Sequence, residues 1–327
     1  MILTLTPNPA LDLTWEVAGL RPGSTHRVDA GVARAGGKGL NVARVLHAQG
    51  HDVLALATVG GASGAEFAAD FEASGVPHRL LPVSGATRRS VAIVDTDAAE
   101  ASVLNERGAP LDDDEAAALA AATLRLALDA TSPARVVAIS GSLPDGFGGD
   151  RVTALVRDLT AGGARVIVDT SGPAMLDAAR AGAYAMKPNA EELAAATGLE
   201  DPVAGARVLL EHGARLVVVS LGAEGLMLVS RAERGMPIRA RLPRVLRGNA
   251  TGAGDAAVAA IAAALQLPVD FDADTGEAAT ARRDLARLAT AWSASAVLAP
   301  LAGSLARNHR DLESEVAVTP HTPEDPA

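Results

Sequence analysis

From residue 2 to residue 266, short apolar runs alternate with stretches of helical periodicity, and no other feature of the chain constrains its fold as tightly. Strands are expected over 2–6, 53–59, 136–140, 165–169, 183–187 and 215–220. Helices are expected over 38–49, 64–74, 113–129, 151–161, 189–197, 202–212 and 254–266. Gly50, Gly75 and Gly198 follow three of these helices, at the position where glycine commonly ends one. Apolar strands separated by helices form a mainly parallel sheet covered on both faces. The expected class is α/β. Two segments, 13–33 and 87–107, break the alternation with period-two patterning such as Ser90-Val91-Ala92-Ile93-Val94. They are read as a small β-sheet lid over the strand ends; the competing reading adds them to the main sheet as antiparallel strands. Val318 to Ala327 hold three prolines and no apolar periodicity, so a frayed tail is expected over 318–327.

Charge and composition remove several classes of function. The 327 residues carry 29 Lys plus Arg against 39 Asp plus Glu, a net charge of −10. Proteins that grip nucleic-acid phosphates non-specifically carry the opposite balance. Aromatic residues make up 2% of the chain, too few for repeated base-stacking platforms. There is no cysteine, which excludes disulfides, thiolate metal sites and cysteine nucleophiles. The seven histidines have no metal-ligand spacing, so a transition-metal site is unsupported. Anionic small molecules would have to be held by a few locally placed cations. Met1–Thr6 reads as a first strand with no basic leader before it. The apolar run Ala256–Leu265 falls well short of the ~20 residues that span a membrane. A soluble, cytoplasmic protein is expected.

The strongest local signal is Asn249-Ala250-Thr251-Gly252-Ala253-Gly254-Asp255, which leads into an apolar helix. Two glycines at a helix start let backbone N–H groups converge, and with the positive end of the helix dipole they form an anion hole. Asp255 at this mouth has two readings. It is an N-cap, contributing ~1 kcal/mol to the helix, or it is a carboxylate that takes a proton from a hydroxyl attacking a bound phosphate. The same residues also fit the dinucleotide fingerprint G-x-G-x-x-G/A, which makes an NAD-dependent dehydrogenase the competing enzyme class. That fingerprint normally follows a strand and opens an N-terminal βαβ unit, whereas Arg247-Gly248-Asn249-Ala250 is polar and lies near the C-terminus.

A second signal is Ala35-Gly36-Gly37-Lys38-Gly39-Leu40-Asn41, again before an apolar-faced helix. It is not a P-loop, because Val32 stands where the first glycine belongs and Gly39 where the Mg²⁺-holding Ser or Thr belongs. The glycine pair permits close backbone approach to a ligand, with Lys38 and Asn41 as donors. The plain alternative is a glycine turn with a solvated Lys38.

Together these two motifs resemble the two signatures of the PfkB, ribokinase-like family of carbohydrate kinases. Further resemblances follow in order: Thr6-Pro7-Asn8-Pro9-Ala10-Leu11-Asp12, Ser140-Gly141-Ser142-Leu143-Pro144, Lys187-Pro188-Asn189-Ala190-Glu191-Glu192 and Ser220-Leu221-Gly222-Ala223-Glu224-Gly225. The resemblance implies one ribokinase-like domain over 1–317 with a β-lid, acting with ATP and Mg²⁺ on a sugar. The opening motif, Thr87-Arg88, and Asn249 in place of an acidic residue are similar to the phosphosugar branch. That branch implies a ketohexose phosphate, fructose 1-phosphate first and tagatose 6-phosphate or fructose 6-phosphate as alternatives. Asp255 is then the implied general base, with the amides of Gly252, Ala253 and Gly254 stabilising the transferred phosphoryl group. Asp12, Arg27, Gly36, Gly37, Lys38, Asn41, Arg88 and Ser142 would hold the sugar phosphate. Lys187, Asn189, Glu192, Ser220, Gly222, Gly225, Thr251, Gly252 and Gly254 would hold ATP, with Asn189 and Glu192 organising Mg²⁺ through water. The alternative for the Asn189/Glu192 pair is a helix cap with an exposed glutamate. One departure is Asn105-Glu106-Arg107-Gly108-Ala109-Pro110, where the branch often reads Asn-Glu-Pro-Gly-Pro, and no role is carried onto Glu106. Lid segments with exposed strand edges point to a homodimer through those strands. A catalytically silent sugar-phosphate sensor remains the second alternative class.

Overall fold

The structure, a computed structural model, describes residues 1–98, 100–232 and 236–321. Its first half runs β1 (Ile2–Thr6), β2 (Ala10–Val17), β3 (Val32–Gly36), α1 (Lys38–Ala48), β4 (Val53–Val59), α2 (Gly61–Ala73), β5 (His78–Pro82), β6 (Arg88–Asp95) and β7 (Glu100–Asn105). The middle runs α3 (Asp113–Ala127), β8 (Val136–Ser140), α4 (Asp150–Ala161), β9 (Arg165–Asp169), α5 (Pro173–Arg180), β10 (Ala185–Met186), α6 (Ala190–Thr197), α7 (Pro202–His212) and β11 (Leu216–Ser220). The remainder is β12 (Leu226–Ser230), β13 (Ile238–Arg241), α8 (Ala253–Ala264), α9 (Gly276–Val297), α10 (His309–Glu315) and β14 (Ala317–Pro320).

One sheet has the order β14-β13-β12-β11-β10-β9-β8-β1-β4-β5. It is parallel from β5 to β11, and β12, β13 and β14 extend it antiparallel at one edge. Successive strand residues bury into opposite cores, as a two-residue period requires. Val136 and Ala138 join Leu216 and Val218 in the core on one face, under α1, α8 and α9. Val137 and Ile139 join Val217 and Val219 in the other, under α3, α4 and α7. The chain leaves β1 toward β4 on one side and returns as β8 on the other, so β1 sits at a switch point of strand order. In open parallel sheets, ligands bind at the carboxyl ends of the strands beside such a point.

The second sheet has the order β3-β2-β6-β7 and stands apart from the first. The lid reading holds over the competing one, with the strands narrower than expected: residues 18–31 contain no strand. β2 pairs with β6 in parallel, so the lid is not a simple antiparallel meander. The expected tail over 318–327 is corrected at its start. Val318 of β14 pairs with Ala240 of β13, so this segment forms the edge strand of the main sheet; residues 322–327 lie outside the described residues. No described helix is long and apolar enough to cross a membrane.

Helix α9 was not foreseen, although Ala278, Arg282, Leu285, Ala286 and Ala289 repeat at helical spacing and are all buried. An arginine on that stripe hides the pattern. Arg282 is 1% exposed and donates from Nη1 to the carbonyls of Phe271, at 2.8 Å, and Ala273, at 3.0 Å. It ties the α8–α9 connection to the helix that walls the cleft described below. Arg282→Ala should leave those carbonyls unsatisfied in the interior and cost at least ~2 kcal/mol, read as a lower urea midpoint at unchanged slope.

Candidate active site

At the N-terminus of α8, Gly252 has φ +86°, a left-handed conformation open to glycine. A Cβ there would also come within 2.9 Å of Ala302 Cα, so the position requires glycine twice over. The helix has no side-chain cap, which leaves its first N–H groups for a ligand. Of the three amides expected to do so, Ala253 N–H is engaged by the Ala250 carbonyl at 3.2 Å. Gly252 and Gly254 have no amide partner among the described residues.

Asp255 does not cap this helix. It lies in the first turn, 6% exposed, and its Oδ2 accepts a 2.8 Å hydrogen bond from Asn41 Nδ2 of α1. Asn41, expected at the sugar, is therefore first of all the group that orients this carboxylate. Burial raises the Asp255 pKa from 3.8 to about 6, and the charge of Asp169 adds to the rise; the Asn41 hydrogen bond, Lys38 and Lys187 oppose it. A carboxyl poised there is ionised at neutral pH and still basic enough to take a hydroxyl proton.

Beside it, two lysines clasp one buried carboxylate. Asp169 ends β9 and is 1% exposed; Lys38 Nζ lies 3.5 Å from its Oδ2 and Lys187 Nζ 3.5 Å from its Oδ1. Lys38 also lies 3.8 Å from Glu192 Oε1. Burial works against the Lys38 charge, but Asp169, Glu192 and Asp255 outweigh it and hold its pKa above the ordinary value. Its ammonium faces the acids at the sheet's carboxyl edge, and Lys38 lines the same cleft as Asp12 and Arg88. A Cβ on Gly254 would meet Lys187 Nζ at 3.3 Å, so the Lys187 ammonium lies against the start of α8.

The Asn189/Glu192 element is a capping box. Asn189 Oδ1 accepts from Glu192 N at 2.7 Å, and Glu192 Oε2 accepts from Asn189 N at 3.0 Å. The cap geometry is present, and Glu192, half-buried, keeps Oε1 turned toward Lys38. Asn189 uses its Oδ1 on the helix and, with Glu192, also lines the cleft described below.

At the lid end, Asp12 of β2 occupies the space that a Cβ on Gly36 would fill, at 1.9 Å from its Oδ2. Gly36 makes room for Asp12 and does not itself line the cleft. Burial raises Asp12 to about 6, against the charges of Arg88, Arg44 and Arg34. Arg88 donates from Nε to Asn8 O at 3.3 Å and from Nη1 to Glu106 O at 3.1 Å, fixing its guanidinium at the root of the lid.

These groups line a single cleft of about 890 Å³. Asp12, Arg88, Ser90 and Asn105 form one end, Lys38, Asn41, Asp169, Lys187 and Asp255 lie in it, and Leu242, Leu246, Ala294 and Val297 form an apolar wall. Gly37, Ser220, Gly222, Gly225 and Thr251 also face it. Besides Gly36, two expected residues do not. Ser142 accepts a 3.0 Å bond from Asn8 Nδ2 outside the lining, and Arg27 is exposed on the loop between β2 and β3.

A model of the family described as pfkB family carbohydrate kinase matches residues 8–307. The chain belongs to the pfkB family of carbohydrate kinases. It is a sugar phosphotransferase. The dehydrogenase reading is thereby set aside, and the geometry agrees: the glycines follow a loop after Arg241, not the end of a parallel strand. The chain is 38% identical over 303 residues to a 1-phosphofructokinase of Xanthomonas campestris pv. campestris, covering 89% of each chain. It is 39% identical over 304 residues to a 1-phosphofructokinase of Rhodobacter capsulatus, covering 90% of each. Its fold matches the tetrameric inhibited form of phosphofructokinase-2 from Escherichia coli with a TM-score of 0.83, at 28% identity, over 96% of this chain and 98% of that one. The unforeseen residues lie between the motifs. Asp169 closes a correctly expected strand at its carboxyl end, which was the available signal. Ser293, Ala294 and Val297 come from α9.

Asp255→Asn keeps shape and the Asn41 contact while removing the base. It should lower kcat by at least ~10²-fold. Because the folded pKa lies above the unfolded one, ionising wild-type Asp255 destabilises the native state as pH rises from 3.8 toward 6. The variant should then be more stable than wild type at pH 7.5, by on the order of 3 kcal/mol, and the gain should vanish below pH 4. Single-turnover rates and melting curves across pH read both effects; normal turnover would remove Asp255 from the chemistry.

Proposed function

We propose that this kinase transfers the γ-phosphoryl group of ATP to the C6 hydroxyl of fructose 1-phosphate, giving fructose 1,6-bisphosphate and ADP. The observation that carries the reading is the buried Asp255 carboxylate, held by Asn41 beside the open N-terminus of α8 and the Lys187 ammonium. Asp255 accepts the hydroxyl proton as the new P–O bond forms and the bond from the γ-phosphorus to the β–γ bridging oxygen breaks. The Gly252 and Gly254 amides and Lys187 face the charge on the transferred group, so most of the catalysis is alignment and electrostatic stabilisation. The two relatives at 38–39% identity, both 1-phosphofructokinases, support the acceptor. The intact base argues against a silent sensor. The cytoplasm, where ATP and sugar phosphates meet, is the proposed location.

Mg²⁺ fits the residues present. Apart from the two lysines at 3.5 Å, both buried Asp169 carboxylate oxygens lack a hydrogen-bond partner among the described residues, and Glu192 Oε1 is not used by the capping box. These are hard oxygen donors, and no cluster of three ligating side chains occurs among the described residues. That suits an ion that takes the rest of its shell from phosphates and water. Asp169 and Glu192 would hold it, and Mg²⁺ would supply charge neutralisation on the phosphates.

Arg88 is the cation proposed for the sugar's phosphate, with Asp12 and Asn105 for its hydroxyls. Arg27, exposed on the lid loop, would reach a ligand only after a rearrangement or from a second copy. The lid strands are proposed to pair two copies. β3 and β7 are free edges, and Val32, Val103 and Leu104 are 60%, 55% and 59% exposed.

Two measurements test this reading. In an ADP-release assay, fructose 1-phosphate should outperform fructose 6-phosphate, tagatose 6-phosphate, fructose and ribose. Arg88→Ala should raise the KM for the sugar phosphate at least ~10-fold while leaving that for ATP near wild type. Equal efficiency with free fructose would sink the phosphosugar assignment. For the assembly, light scattering at micromolar concentration should give twice the chain mass, and Val103→Asp with Leu104→Asp should shift it to the monomer; a monomeric wild type contradicts the lid interface.

A further inference from the structure

Arg34 is a charged residue to which the functional reading gives no role, and it bridges two distant parts of the chain. It lies on β3 directly opposite Asp12 of β2, on the same face of the lid sheet. Its Nη1 donates a 2.8 Å hydrogen bond to the Ala302 carbonyl, in the connection that follows α9. Asp12 and Asp70 are the acids that face its guanidinium, and Arg44 is the neighbouring cation. Arg44 is itself held, donating to the Ala35 carbonyl at 2.6 Å and to Asp70 at 3.4 Å.

Ala302 and Gly303 are wedged between the two halves of the phosphoryl-transfer machinery. On one side, Ala302 backbone fills the space beside Gly252, where a Cβ would meet its Cα at 2.9 Å. On the other, a Cβ on Gly303 would meet Asn41 Oδ1 at 3.1 Å and Arg44 Cδ at 3.2 Å. Gly303 has φ +75°, which a side chain would strain. The dipeptide thus touches both the first residue of the anion-binding turn and the amide that orients Asp255.

We propose that Arg34 is a positioning residue that locks the Ala302–Gly303 wedge, and through it the spacing between Gly252 and the Asn41–Asp255 pair, to the lid. The inference rests on the kinase reading above. It makes the lid more than a cover: the strand that carries Arg34 pairs with the strand that presents Asp12 to the sugar. Movement of β2 and β3 is thereby passed to the place where the phosphoryl group is transferred. Interiors transmit such shifts because packed groups have few alternative arrangements, and misplacing a reacting group by about 1 Å costs up to ~10²-fold in rate.

The test uses the full chain carrying Arg34→Met, Arg34→Lys or Gly303→Ala, with steady-state kinetics and amide hydrogen exchange over 298–306. Arg34→Met keeps the aliphatic stem and loses the donor. It should lower kcat at least ~10-fold with the KM for ATP within about twofold, and speed exchange over 298–306 at least ~10-fold. Arg34→Lys, which retains a donor, should recover most of both. Gly303→Ala should give the same split between kcat and KM by pressing on Asn41, and it stands in for Arg34→Met should that variant fail to fold. Wild-type kcat in Arg34→Met or Gly303→Ala, a lysine variant as impaired as the methionine one, or slowed turnover with unchanged exchange would each overturn the proposal. Failure of the kinase reading is seen separately, as wild-type protein that releases no ADP with any sugar phosphate; the exchange arm still reads the Arg34 link in that case.

Discussion

Asp169 is held at the carboxyl edge of the main sheet by two lysines that arrive from opposite directions. Lys38 comes from the first turn of α1 and Lys187 from the end of β10, and each lies 3.5 Å from a different oxygen of the same carboxylate. An isolated buried carboxylate or ammonium carries a large desolvation cost, and only mutual pairing makes such burial tolerable. The three groups must therefore stay together, and that requirement fixes the start of α1 against the ends of β9 and β10. The Lys187 ammonium, so placed, also lies against Gly254. The clasp stores positive charge where an anion would arrive, with Lys187 buried and Lys38 partly open to the cleft.

The carboxylate that does the proposed chemistry is arranged on the opposite principle. Asp255 has no direct ion-pair partner among the described residues; its 2.8 Å hydrogen bond comes from the neutral amide of Asn41. A neutral donor orients the group without lowering its basicity as far as a lysine would, and burial keeps the pKa near about 6. Two buried acids in one cleft thus differ in partner. Asp169 is charge-paired by two lysines, whereas Asp255 is amide-held and basic, a division of environments that pairs of carboxylates adopt elsewhere.

The lid and the C-terminal segments frame these groups from outside the parallel core. β2 carries Asp12 into the cleft, and the glycine at position 36 across the ladder leaves room for its carboxylate. α9 supplies Ala294 and Val297 of the apolar wall and is itself anchored through Arg282. Both additions meet at Arg34 and Ala302, where a lid strand bonds to the segment that follows α9.

The sequence by itself determined the parallel core, because apolar runs of five to seven residues between helical stretches have few other arrangements. It also located the glycine turns at 36–37 and 252–254, since only glycine tolerates such approach, and through them Asp255. It did not reveal α9, whose apolar stripe carries a buried arginine that is satisfied by backbone carbonyls from a different segment. Nor did it show that Val318 pairs with Ala240, because a short polar-flanked strand becomes one only when an edge is there to receive it. The partners of the charged groups were the tertiary structure's to decide. Lys38 reads equally well as a sugar ligand or a solvated cation until Asp169 is brought within 3.5 Å of it, and Asn41 reads as a ligand donor until Asp255 is brought within 2.8 Å. Periodicity reports what each residue does to its own segment. Electrostatic pairing depends on distances between segments, and those exist only in the folded chain.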